Sequence, residues 1–165
     1  MSLPIDPDDF ADVIRRVGFA VWQLQALEQV AACHLILVHK ANPATAWEEV
    51  QRIFQKTEKN TLGQLFDQIR DATGNAASFL PRFEALVNDR NWLVHRSRNQ
   101  NRKDLYDHAA RQKLIDRTEA IADEALQLAK ALQKKTEDHM MALGIPKAEL
   151  DRRVAIIFRE WADQT

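Results

Sequence analysis

Phe79-Leu80-Pro81-Arg82-Phe83-Glu84-Ala85-Leu86-Val87-Asn88-Asp89-Arg90-Asn91-Trp92-Leu93-Val94-His95 is the stretch whose spacing decides the fold. Phe79, Leu80, Phe83, Leu86, Val87, Leu93 and Val94 recur at helical intervals and mark one face of a long helix that opens near Ser78. Pro81 is tolerable there because a first-turn N–H has no partner inside the helix. At about 100° per residue, Arg90 projects from the middle of that apolar arc, and Asn91 and His95, four apart, sit together on its flank. A charge aimed at a core stripe is costly unless it is paired or used. Arg90 therefore requires a carboxylate partner or a chemical task.

The rest of the chain reads as helix in both directions. Before it, Phe10, Ile14, Val17, Val21, Leu24, Glu28, Ala31, Leu35 and Val38 step by fours and threes, predicting a helix from about Asp8 or Asp9 to Lys40. Glu28 is the one acid in that seam. Asn42-Pro43 predicts the cap and first turn of a short helix with Trp47, Val50, Ile53 and Phe54 inward. Thr61-Leu62-Gly63-Gln64 fits a capping box opening a helix that buries Leu62, Leu65, Phe66 and Ile69, and Gly74-Asn75 stops it. Beyond it, the polar run Arg96–Lys103 ends the Arg90 helix. A long helix from about Lys103 to Leu143 carries Leu114, Thr118, Ile121, Ala125, Leu128 and Leu132 on one face, and Gly144 and Pro146 terminate it. Leu150, Val154, Ile157 and Trp161 define a last helix over about 147–162. The expected architecture is all-α: one domain over 1–165, core about 8–143, an antiparallel bundle of four to six helices with a short helical crossover.

Composition narrows the chemistry. The net charge is −1 over 165 residues, so any nucleic-acid affinity must come from a local patch. The single cysteine, Cys33, excludes an intramolecular disulfide framework and suits a reducing compartment. Asp6, Asp8 and Asp9 stand where a signal peptide would carry positive charge, and no run of apolar residues has the length of a membrane span. The expectation is a cytoplasmic protein without a membrane segment. The histidine and carboxylate spacings needed for a helical metal site are missing, and no glycine-rich phosphate loop is present, so neither metal nor cofactor is expected. His34 and His39, five apart, do not share an α-helical face well, and His108 and His139 are isolated; all four read as surface or partly packed residues.

Glu28 and Arg90 are natural partners across the bundle. Such a pair can serve the core alone, or Glu28 can orient Arg90 toward a ligand phosphate, since an oriented guanidinium still has spare donors. For Arg90, Asn91 and His95 the plain reading is a core ion pair, an interhelical hydrogen bond and an edge residue.

Arg90-Asn91-x-x-x-His95 resembles the Arg-x4–6-His signature of HEPN domains, in which a polar residue such as asparagine follows the arginine. Trp92-Leu93-Val94-His95-Arg96 and Thr61-Leu62-Gly63-Gln64-Leu65 are similar in wording to bacterial members of that group. The resemblance covers about residues 8–140 and not the last helix. It implies a helical bundle that dimerises with the two motifs near the dimer axis. It also implies either a metal-independent endoribonuclease of a toxin–antitoxin or phage-defence system, with a protein antitoxin as a further partner, or a catalytically silent dimerisation or regulatory module.

Carried over, Arg90, Asn91 and His95 form the catalytic site. His95 moves protons at the ribose 2′-hydroxyl or the leaving oxygen, Arg90 stabilises charge on phosphorus, and Asn91 holds the imidazole or the phosphate. A homodimer supplies the second histidine that acid–base chemistry asks for. Arg96, Arg98, Arg102 and Lys103, read from their charge and position, would track an RNA backbone. A third reading is a small-ligand binder using Glu28 and Arg90 within the core.

Overall fold

The computed structural model describes residues 5–149, 151 and 152, and every regular element among them is helical. α1 spans Pro7–His34 and continues without a break into a π-helical turn, Leu35–Lys40. α2 spans Trp47–Thr57, α3 Leu62–Thr73, α4 Leu80–His95, α5 Ser97–Gln100 and α6 His108–Ala142, with a 3₁₀ turn at Asp104–Tyr106. The expected Leu150, Val154, Ile157 and Trp161 face lies outside the described residues, of which 147–149, 151 and 152 are helical.

The ends of these helices follow from local chemistry. Asp6 Oδ1 accepts the Asp8 N–H at the start of α1, and Pro7 occupies its first turn. The expected capping box at Thr61 is present: Gln64 N–H donates to Thr61 Oγ1 at 3.4 Å and Thr61 N–H to Gln64 Oε1 at 2.9 Å. Gly74 ends α3 with φ 65°, a left-handed conformation that glycine adopts without a Cβ clash. α4 stops at His95, where Arg96 leaves helical geometry at φ −124° and the Ser97 hydroxyl donates to the Leu93 carbonyl at 2.6 Å.

Two expected boundaries move. Asn42 and Pro43 do not open α2; Asn42 Oδ1 instead accepts the Ala44 N–H and Thr45 Oγ1 the Asn42 N–H, closing a turn that delays the helix to Trp47. The long last helix begins at His108, not near Lys103, because Asp107 Oδ1 caps it through the Ala110 N–H at 2.7 Å.

α1, α4 and α6 alternate in direction. Arg82–Glu124 and Arg117–Asp89 set α4 antiparallel to α6. Arg111–Asp9, Arg16–Glu119 and His34–Thr136 set α6 parallel to α1, beside which it runs for most of its length. α3 leans on α4 through an edge-to-face pair of Phe66 and Phe83 with ring centres 5.5 Å apart. The two short connections after α1, the π turn and α2, return the chain so that α3 can start beside Glu28.

One continuous core results. Leu24, Leu27 and Leu35 from α1 and the π turn, Leu62, Leu65 and Ile69 from α3, Phe83 and Leu86 from α4, and Ile121, Ala125, Leu128 and Leu132 from α6 are all buried within it. The expected faces of α3 and α6 are the buried ones. On α1 the face is rotated: Val13, Ala20, Leu24, Leu27 and Ala31 are buried, whereas Phe10 and Ile14 are 43% and 54% exposed and Val17 and Val21 only half-buried. A seam spaced by threes and fours can be drawn through either set, and only the position of α6 selects between them. α2 is also less inward than its pattern suggests, with Trp47 exposed and Val50, Ile53 and Phe54 half-buried. By length and composition alone, Pro7–Lys40 is long and apolar enough to cross a membrane; in the fold it supplies part of the core.

Candidate functional site

Glu28, Arg90 and His95 come together on the side of α4 that meets α1. Arg90 Nε lies 3.8 Å from Glu28 Oε1, and both side chains are about one quarter exposed, 25% and 24%. Arg90 Nη1 lies 3.5 Å from His95 Nε2. A guanidinium can only donate, so the imidazole edge that faces it offers a lone pair at Nε2. Asn91 is exposed beside Arg90 on the same helix, one turn before His95. Glu28 and Arg90 are half-buried at the edge of the core, and His95 and Asn91 are exposed beside them.

Glu28 has a second attachment that its place in the α1 seam does not reveal. Its Oε1 accepts the backbone N–H of Leu62, at the first turn of α3, at 3.1 Å. A carboxylate there satisfies a helix N-terminal donor and faces the positive end of the helix dipole. Glu28 thus ties α1, α3 and α4 at one point, and Arg90 is its looser partner. The expected Glu28–Arg90 pair is present, at long range and at the edge of the core.

That geometry sets an expected stability order. A partly exposed ion pair contributes about 0–1 kcal/mol, whereas a hydrogen bond to a charged group contributes about 1.5–3 kcal/mol. Arg90→Ala should therefore cost about 1 kcal/mol or less in urea unfolding, and Glu28→Ala about 2 kcal/mol. Glu28→Gln keeps an acceptor for Leu62 and should recover most of the loss. Equal losses for Arg90→Ala and Glu28→Gln, each above about 3 kcal/mol, would show a dry, fully buried pair instead.

Trp92 has a role the apolar pattern misses. It lies across α4 from Phe83 and Leu86 yet is only 9% exposed, because Arg117 of α6 stacks on its ring at 3.4 Å from the ring centre. Arg117 also reaches Asp89 at 3.3 Å, and Trp92 Nε1 donates to Gln100 Oε1 at 2.9 Å. This clamp holds α5 against the end of α4 and fixes the start of the basic run. The one signal in the sequence was a large aromatic opposite the apolar arc.

Arg96 between α4 and α5, Arg98 on α5, and Arg102 and Lys103 in the loop after it are all exposed, and none forms an ion pair among the described residues. Unpaired surface cations close in sequence to Arg90 and His95 are free to meet phosphates. Phe10, Ile14 and Val94, at 43%, 54% and 47%, are exposed apolar residues on the two helices that carry Glu28 and His95.

Of the other histidines, His39 and His139 are half-buried and His108 exposed, as expected, whereas His34 is not. His34 is 3% exposed, and its ring meets His39 edge-to-face at 5.6 Å between ring centres. The π turn is the reason, since it widens the helix and closes hydrogen bonds between residues five apart. No group of three His, Cys, Asp or Glu side chains among the described residues is placed to hold a metal ion. The Cys33 thiol is pushed up by burial, which disfavours the reactive thiolate.

No protein-family model, curated protein or solved structure matches the chain.

Proposed function

We propose that the protein is a metal-independent endoribonuclease of HEPN type, acting as a homodimer at Arg90, Asn91 and His95. The observation that carries the reading is the meeting of Arg90 Nη1 and His95 Nε2 at 3.5 Å on an exposed surface, with Glu28 holding the far edge of the guanidinium. An oxyanion bound there would take the donors of Arg90 and draw Nη1 away from His95, whose Nε2 lone pair would then be open to a hydroxyl proton. Attack of the ribose 2′-oxygen on the adjacent phosphorus forms one P–O bond. Departure of the 5′-oxygen breaks the other and leaves a 2′,3′-cyclic phosphate. His95 of one copy takes the 2′ proton and His95 of the second copy returns one to the 5′-oxygen. Arg90 neutralises the charge that gathers on the non-bridging oxygens.

The exposed stripe of α1 supports the dimer. Phe10 and Ile14 are more than 40% exposed, and the helical line through Val17 and Val21 leads on to Glu28, where Arg90 joins it. Apolar residues leading into a polar site are suited to cover by a second copy, which would set two His95 residues across one groove. The resemblance to HEPN domains adds a toxin–antitoxin or phage-defence setting to the reading, with a protein antitoxin as a further partner.

The test is purified protein incubated with a broad single-stranded and loop RNA pool in EDTA. Sedimentation at micromolar concentration should show a dimer, and the cleaved ends should carry a cyclic phosphate. A dimer that binds RNA without cutting it would favour the silent regulatory module, for which the loose 3.8 Å contact between Glu28 and Arg90 is the supporting observation.

A further inference from the structure

The end of the bundle formed by the π turn and the last third of α6 gathers His34, His39, His139 and Lys135, and among the described residues no carboxylate bears on the buried His34 ring. His34 is 3% exposed. Its Nδ1 lies 2.9 Å from Thr136 Oγ1, and that hydroxyl already donates to the Leu132 carbonyl at 2.9 Å. The Thr136 oxygen must therefore accept, which places the His34 proton on Nδ1 and leaves Nε2 without one. The His39 ring stands edge-to-face on His34, and its Nε2 is buried with no hydrogen-bond partner among the described residues. Phe79, just before α4, closes another side at 6.1 Å between ring centres, and Lys135 lies over that same phenyl ring at 5.7 Å.

The charged groups that bear on His34 are His39, Lys135 and His139, and all of them oppose its protonation. The nearby acids on α6 are engaged elsewhere, Glu137 by Gln133 and Lys147 and Asp138 by Lys134. On the π turn, Lys40 is held by Gln68 and Thr57 and lies within electrostatic reach of Lys56, so the α2 side adds positive charge as well. From α1 itself the neighbouring group is Cys33, whose thiol burial keeps neutral.

We infer that this histidine cluster is an acid-sensitive latch, which holds the π turn against α6 at neutral pH and releases it, together with the α2 crossover it anchors, when the cluster gains protons. In the closed state a second proton on the His34 ring would be held in a buried site beside three further basic groups, His39, Lys135 and His139. In the open state the same proton meets water. Release takes Leu35 and Ile36, each 1% exposed, out of the core and carries with it α2, which packs on the π turn.

The direction in pH follows from His34, which burial first, and then the three basic neighbours, lower from 6.5 to about 4. His39 is lowered as well, by burial and by His139. A group with a depressed histidine pKa binds fewer protons closed than open between those two values. The latch is therefore at full strength above about pH 6.5 and weakens as pH falls toward about 4.

Amide hydrogen exchange of the full chain, corrected for the intrinsic effect of pH, reads this directly. Peptides covering residues 33–42 should lose about 10- to 30-fold in protection between pH 7 and pH 5, from the gap between 6.5 and about 4. Peptides within α3 should hold theirs. His34→Asn keeps a donor toward Thr136 and cannot titrate in this range, so its protection should be flat. His39→Gln removes the first of the charged neighbours, should shrink the acid loss, and provides the comparison if His34→Asn does not fold. Flat protection in the unmodified protein, or an undiminished acid loss in the variants that fold, would overturn the latch.

Discussion

His95→Ala is expected to lower RNA cleavage by roughly 10²–10⁴-fold, the usual range for removing a positioned acid–base group. The melting temperature should stay nearly unchanged. His95 is exposed, and its one polar contact is the 3.5 Å approach to Arg90, too long to contribute much stability. The separation of rate from stability is the point of the experiment. Arg90→Lys adds a second arm, since a lysine keeps the charge but loses the planar fork that can hold two phosphate oxygens. It should bind RNA with similar salt dependence and cut it far more slowly. Cleavage by Arg90→Lys at the full rate would reduce Arg90 to a point charge.

The largest expected loss of stability lies away from the site. Phe83→Ala removes a ring that is 0% exposed and packs edge-to-face on Phe66, joining α4 to α3 at the centre of the core. Truncations of this kind cost about 3–5 kcal/mol. For a domain of this size that corresponds to a drop on the order of 10 °C in melting temperature. Thermal unfolding followed by circular dichroism measures it. A drop of only a degree or two would mean that α3 and α4 are not locked together as described. It would also remove the frame that sets Leu62 against Glu28.

Much of this was legible in the chain. The capping box at Thr61, the stop at Gly74 and the buried faces of α3 and α6 follow from local rules, because the short-range chemistry and the tertiary packing there agree. The pairing of Glu28 with Arg90 was legible for a related reason: a lone acid and a lone base on two otherwise apolar faces have few other places to go.

What the spacing could not give are the features set by a third element. The buried face of α1 depends on where α6 lies, so Phe10 and Ile14 read as core and are exposed. Glu28 serves the first turn of α3 as well as Arg90, which no pattern within α1 announces. Trp92 is buried by Arg117, a surface residue by its own helix. His34 and His39 meet because α1 ends in a π turn, whereas α-helical spacing keeps them apart. In each case an assumption about a single helix failed where a neighbour, or a change of helical pitch, decided the outcome.

The most direct test of the proposed chemistry is the cleavage rate of one end-labelled RNA, measured side by side for the unmodified protein and His95→Ala with EDTA in excess. The expected result is cutting by the unmodified protein that leaves a 2′,3′-cyclic phosphate and is at least about 100-fold slower in the variant. No cutting by a folded, dimeric protein, or equal cutting by both, would contradict a ribonuclease site at Arg90 and His95.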